Sequence, residues 1–225
     1  MPVDSQASIE ITAFAWVPDF AQGQVRDLRV RWALEEAGLA YRERLLDALH
    51  ERPAAYFEEQ PFGQVPAYRE DGVQMFESGA IVLQIAERSE ALMPRDAAGR
   101  ARATTWVLAA LNSVEPAHME LATIDFFHPD AEWAAARRPE VERKIRARLE
   151  RLSAWLGEKD YLEDRFTVGD LMMAAVLREL HHTDLLAGHA SLAAYLARCE
   201  ARPAFQRALA AQLAPFEKHR PTAAA

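Results

Sequence analysis

Val65-Pro66 and, after an Asp71-Gly72 turn, Glu77-Ser78 carry groups that could grip a small peptide. Proline has no N–H, and the bond before it becomes cis at modest cost. A cis bond here would turn the N–H and C=O of Val65 outward, where an extended peptide could pair with them as an added strand. The competing reading is an ordinary trans proline at a strand start. Ser78 is a preferred helix N-cap, and the helix that follows leaves unpaired N–H groups. A ligand carboxylate placed there is held by those donors and by the helix dipole. Glu77 beside it could accept from a ligand ammonium, so the pair suits the zwitterionic head of an α-amino acid. Taken singly, each residue reads as a plain cap beside a solvated glutamate.

Other reactive side chains point less far. His181-His182, Asp184 and His189 match no common zinc spacing, and adjacent histidines on a helix point apart. They read as a histidine pair at a helix end, and no metal is expected. Cys199, the single cysteine, reads as a small apolar core residue, and its solitude fits a reducing compartment. No phosphate-binding glycine loop and no nucleophile elbow is present.

The elements that would position these groups follow from periodicity. Ile9 to Trp16 is apolar and β-prone. After a loop from Val17 to Gly23, Val30, Ala33, Leu34 and Ala37 share one helical face, with Gly38 at the C-cap. Tyr41 to Leu46 is a second strand, so strand, helix and strand favour a parallel pair with a crossover. Pro53 to Glu59 is a short helix, Pro66–Arg69 and Val73–Phe76 flank the Asp-Gly turn as strands, and Ser78–Arg88 is a helix. The order βαβ then ββα is that of a thioredoxin-like domain, residues 1–92. Leu92 to Asp96 reads as a linker. Residues 97–225 form an all-helical domain: Ala97 to about Ile124, a break at Phe126–Pro129, then Val141, Ile145, Leu149, Leu152 and Leu156 along one face. Thr167–Leu180, Leu192–Ala201 and Pro203–Leu213 follow, with Arg220–Ala225 as a frayed tail. The fold class is therefore α/β plus all-α.

The 225 residues are half apolar and 27% charged, with net charge −8, which disfavours a nucleic-acid or anionic-membrane surface. No apolar stretch approaches the roughly 20 residues of a membrane span. The start, MPVDSQAS, lacks a signal pattern. Cytoplasmic is the resulting expectation.

The combination of Val65-Pro66 and Glu77-Ser78 around an Asp-Gly turn resembles the cytosolic glutathione S-transferases, of bacterial type, with the class open. Arg31-Trp32-Ala33-Leu34-Glu35-Glu36-Ala37-Gly38-Leu39, Pro61-Phe62-Gly63-Gln64, Ser78-Gly79-Ala80-Ile81 and Tyr195 to Pro203 extend the likeness over nearly the whole chain. So does Phe166-Thr167-Val168-Gly169-Asp170-Leu171, a capping box with a hydrophobic staple. The resemblance implies glutathione as co-substrate, with Val65 on its cysteinyl backbone and Glu77 and Ser78 on its γ-glutamyl end. Gln64 and either His50 or Arg52 would meet its glycyl carboxylate, and a homodimer is implied. A second-substrate pocket between the halves would be lined by Trp16, Trp106, Asn112, Glu115, Phe126 and Phe127.

One departure stands out. The family activates the glutathione thiol with a Tyr, Ser or Cys near the first helix, and Phe20 to Asp27 holds none. Gln24, Arg26 or backbone N–H groups are left as candidates for stabilising a thiolate. The leading reading is conjugation of glutathione to a small apolar electrophile, with a detoxifying role. The alternatives are another glutathione-dependent activity (isomerisation or disulfide reduction) and a non-catalytic binding or regulatory protein of the same fold.

Overall fold

The computed structural model describes residues 3–221. They form two compact units, residues 3–92 with 203–221, and residues 93–202. The sequence places the last helix with the helical half, but that helix, Pro203–Lys218, packs in the first unit. Of the expected frayed tail, residues 222–225 lie outside the described residues.

The first unit is built on a four-stranded sheet. Its strands are β1 (Ile9–Phe14), β2 (Tyr41–Leu46), β3 (Ala67–Glu70) and β4 (Val73–Phe76), in spatial order β2-β1-β3-β4. β1 and β2 are parallel and the other pairings antiparallel. Alternation decides the faces. Ile9, Ile11 and Ala13 are buried, while Glu10 points the other way and pairs with Arg42 and Arg44. Helix α1 (Asp27–Ala37) links β1 to β2 and ends on Gly38 in the left-handed region at φ 67°. Helix α2 (Ser78–Ala86) packs against α1 and β4.

The last helix, α8, joins this unit through α1. Trp32 meets Phe205 edge-on at 4.8 Å between ring centroids. Arg207 Nε donates to Glu35 at 2.6 Å, and Gln212 Nε2 donates to the buried Asp27 at 2.6 Å. Asp27 also accepts from Arg31 Nε at 2.6 Å, and Arg31 bridges on to Glu43. Burial pushes the Tyr41 phenol beside this cluster up to about 12, against the pull of the Arg31 charge.

The second unit is helical: α3 (Ala97–Ala109), α4 (Glu115–Ala122), α5 (Glu132–Leu156), α6 (Val168–Leu177) and α7 (Ala190–Glu200). α6 is buried nearly all round, as a central helix must be. Gly169 lets α3 approach it: a Cβ there would lie 2.5 Å from the Trp106 Cβ. The long helix read over Ala97 to Ile124 is divided. Ala110–Val114 and Thr123–Phe127 are π turns on either side of α4. Pro116 lacks the N–H that would continue the ladder, and its ring crowds the carbonyl four residues back, so the turn before it widens.

Asp170 holds the start of α6. Its carboxylate accepts from the N–H groups of Leu162 (2.8 Å) and Thr167 (2.9 Å) and from the Tyr195 hydroxyl (3.1 Å). Capping alone is worth about 1 kcal/mol. Leaving three buried donors unpaired raises the expected loss for Asp170→Ala to about 3 kcal/mol, read as a lower urea midpoint.

His118 on α4 donates from Nδ1 to the carbonyl of Val176 (3.1 Å), with Glu179 at 3.9 Å, while its buried Nε2 has no partner among the described residues. Burial pushes its imidazole down to about 4, against the Val176 hydrogen bond and the Glu115 charge. An unfolded histidine titrates near ~6.5. The unfolded chain therefore takes the proton first, and stability present above that pH is lost as pH falls toward 4. The expected loss is roughly 3 kcal/mol. Denaturation series of the wild type and His118→Gln should diverge in this window, the variant lacking that share of the slope.

Candidate functional site

Two buried hydroxyls shape the loop before β3. The Tyr56 hydroxyl donates to the carbonyl of Gln64 at 2.6 Å and so accepts from Thr12 Oγ1, 2.9 Å away. Thr12 Oγ1 in turn accepts from the N–H of Ala67 at 2.7 Å. The relay clamps the chain on both sides of Val65-Pro66, whose peptide bond is cis. Among the described residues, the N–H and C=O of Val65 make no hydrogen bond. Burial pushes the Tyr56 phenol up, so it remains a donor at neutral pH.

The loop runs through the β3–β4 hairpin to α2. There the structure corrects the expected cap: Glu77, not Ser78, is the N-cap, and neither supplies a side-chain cap. Glu77 sits at φ 69°, ψ 110°, a conformation that costs a residue with a Cβ about 1–3 kcal/mol. This places its exposed side chain beside the helix start. Ser78 is the first helical residue, and its hydroxyl accepts from Arg29 Nη1 of α1 at 3.5 Å. The first backbone bond of α2 runs from Ile81 to Glu77, so the N–H groups of Ser78, Gly79 and Ala80 make none among the described residues. Three donors and a carboxylate thus share one spot, a geometry for an α-amino-acid head.

Other first-unit candidates differ in what they have left to offer. Gln64 is exposed, and its carbonyl is taken by Tyr56. Arg52 ties the loop together, donating to the carbonyls of Gly63 (3.2 Å), His50 (2.8 Å) and Asp47, with its guanidinium 4.7 Å from the centre of the Phe14 ring. His50 is exposed and pairs with Asp47 at 2.7 Å. The β1–α1 loop, residues 15–26, contains a 3₁₀ turn at Asp19–Ala21 and a bend at Gly23 (φ 75°). Gln24 is half-buried in its last turn, and Arg26 occupies the N-cap of α1. Trp16 is half-buried, and its indole N–H has no partner among the described residues.

In the second unit, Trp106 donates to Glu163 at 2.9 Å and lies 5.3 Å from Trp155, the rings tilted by 55°. Asn112 is exposed in the first π turn and Glu115 is buried at the start of α4. In the second π turn Phe126 contacts His182 at 4.6 Å, and Phe127 is 63% exposed. Thr12 and Tyr56 escaped the sequence reading because a hydroxyl on a strand and one on a short helix carry no spacing signal. Cys199 is fully buried, and burial pushes its thiol well above the usual range. Among the described residues no group of three or more His, Cys, Asp or Glu could hold a metal ion.

Comparison with known proteins identifies this architecture. Residues 21–87 match the glutathione S-transferase N-terminal domain and residues 114–203 the glutathione S-transferase C-terminal domain. The chain belongs to the glutathione S-transferase family. It is 28% identical over 168 residues to glutathione S-transferase F9 of Arabidopsis thaliana, covering 69% of this chain and 74% of that protein. The theta class glutathione S-transferase of Xanthomonas axonopodis pv. citri, solved with glutathione bound, superposes with a TM-score of 0.76 at 27% identity, over 91% of this chain and 98% of that one. A glutathione transferase from Burkholderia graminis, solved with two glutathione molecules bound per subunit, shares the fold at TM-score 0.78 and 23% identity, over 90% and 88% of the two chains.

Tyr56→Phe removes the donor to Gln64 and should lower stability by about 1–3 kcal/mol, measured by urea denaturation. For Glu77, the glycine variant should be more stable than the alanine variant by about 1 kcal/mol, because only glycine adopts that φ without strain. Equal midpoints would count against a strained position 77.

Proposed function

We propose that this protein binds glutathione in its first unit and activates the thiol for attack on a small apolar electrophile. The observation that carries the reading is the unpaired N-terminus of α2 beside Glu77, together with the free backbone groups of Val65. The γ-glutamyl carboxylate would take the N–H groups of Ser78 and its neighbours, and its ammonium would face Glu77. The cysteinyl backbone would pair with Val65 next to Pro66, as an added strand. Gln64 would meet the glycyl carboxylate, with His50 and Arg52 as further candidates. Gln24 and Arg26, in the turn that opens α1, are the side chains proposed to favour the thiolate. Holding that thiolate beside the acceptor supplies the rate.

A reducing, cytoplasmic setting suits a lone buried cysteine, and no helix of the described residues is long and apolar enough to cross a membrane. A homodimer is also proposed. Phe57, Phe62, Val73 and Phe76 are exposed around the edge strand β4, with Phe62 and Phe76 6.2 Å apart edge-on, a patch that a second copy would cover.

A second reading has its own support. Phe20 to Asp27 lacks a hydroxyl or thiol, which favours a glutathione-binding protein without transferase activity. The buried Cys199 argues against a mixed disulfide on the protein.

Calorimetric titration with glutathione tests the grip. The wild type should bind, and Glu77→Ala with Ser78→Ala should weaken binding at least about tenfold, the loss of one charge-assisted contact. Unchanged affinity in that double variant would overturn the assignment of the amino-acid head. Binding without turnover of model electrophiles would select the second reading.

A further inference from the structure

On α8 and α1 the first unit carries a second cleft, of about 360 Å³, assembled from residues that the glutathione reading does not use. Helix α8 supplies an apolar shelf of Ala210, Ala211, Ala214 and Pro215. Val3, which bridges to Tyr41 at the outer edge of β2, extends it. The remaining lining is charged: Glu35 from α1, Glu43 from β2 and Arg207 from α8. Its volume falls at the lower end of the range for small-molecule sites, about 300–1,000 Å³.

The acids are only half engaged. Glu35 Oε2 accepts from Arg207, and Glu43 Oε1 from Arg31. Glu35 Oε1 and Glu43 Oε2 make no hydrogen bond among the described residues. The lining holds two carboxylates and one guanidinium, an excess of one negative charge. Behind it, Asp27 and Arg31 pair at 2.6 Å and add none. The Glu35 side chain is 2% exposed and cannot turn away into water, whereas its partner Arg207 is 48% exposed and can.

We propose that this cleft binds a compact organic monocation, a primary ammonium whose donors reach the free oxygens of Glu35 and Glu43 while its apolar body lies on the alanines of α8. An ammonium has three donors and no acceptor, matching two open acceptors beside an apolar wall. An anion would meet the carboxylates, and a neutral body would leave their charge uncompensated.

The test uses three probes of one shape: 3-phenylpropylammonium, 3-phenylpropan-1-ol and 3-phenylpropionate. Each is titrated by calorimetry into the full chain with glutathione in excess, so that the α-amino-acid grip at Glu77 is occupied. The ammonium should bind at least about fivefold tighter than either analogue, the contribution of one half-exposed ion pair. Ala214→Phe and, separately, Ala210→Phe fill the shelf from exposed positions and should abolish binding without changing the melting temperature. Arg207→Gln frees the second oxygen of Glu35 and should tighten ammonium binding severalfold. Equal affinity for the three probes, binding that survives both phenylalanine variants, or weaker binding by Arg207→Gln would overturn the proposal. So would the absence of ammonium binding.

Discussion

The candidate glutathione grip depends on a directional chain of hydrogen bonds through two hydroxyls. Tyr56 has one proton to give and gives it to the carbonyl of Gln64. Thr12 must then donate to Tyr56, which leaves its oxygen to receive the N–H of Ala67. Each group has a single role, so the loop between Gln64 and Ala67 has one arrangement. Both side chains are almost fully buried, where an unpaired polar group is costly. The relay therefore works as a fixture that holds Val65 and Pro66 in place, while the groups that could meet a ligand stay unpaired.

The start of α2 adds the opposite kind of arrangement. There, among the described residues, three donors stay open and Glu77 is held in a strained conformation. Preorganised donors at a helix N-terminus attract a carboxylate without rearrangement. Strain at such a position must be supported by its surroundings. The packing of α2 on α1 and β4, with Arg29 touching Ser78, supplies that support.

Much of this was legible in the sequence. The apolar, β-prone first strand, the Gly38 cap and the α5 stripe from Val141 to Leu156 are local patterns, and local patterns survive folding. The corner at Val65-Pro66 and the helix start at Ser78 were legible as structure for a related reason: a proline and a helix start are punctuation in the chain. What was not legible depended on long-range partners. Thr12 and Tyr56 are 44 residues apart. The hairpin that delivers the chain into α2 moved the cap from Ser78 to Glu77. Pro116 divided a helix that periodicity alone reads as continuous. The last helix was legible as a helix, but what it covers resides in Trp32, Glu35 and Asp27, some 170 to 185 positions earlier.

That last pairing bears on how the protein is made. The helical unit, residues 93–202, is continuous in sequence, whereas the sheet-bearing unit is assembled from both ends of the chain. Domains fold as their residues leave the ribosome, starting from the N-terminus. Of the two units, the one begun earlier is completed later, because Asp27, Glu35 and the indole of Trp32 wait for α8. During translation those groups face water or a chaperone, and the helical unit has the whole of its sequence before the sheet-bearing unit does.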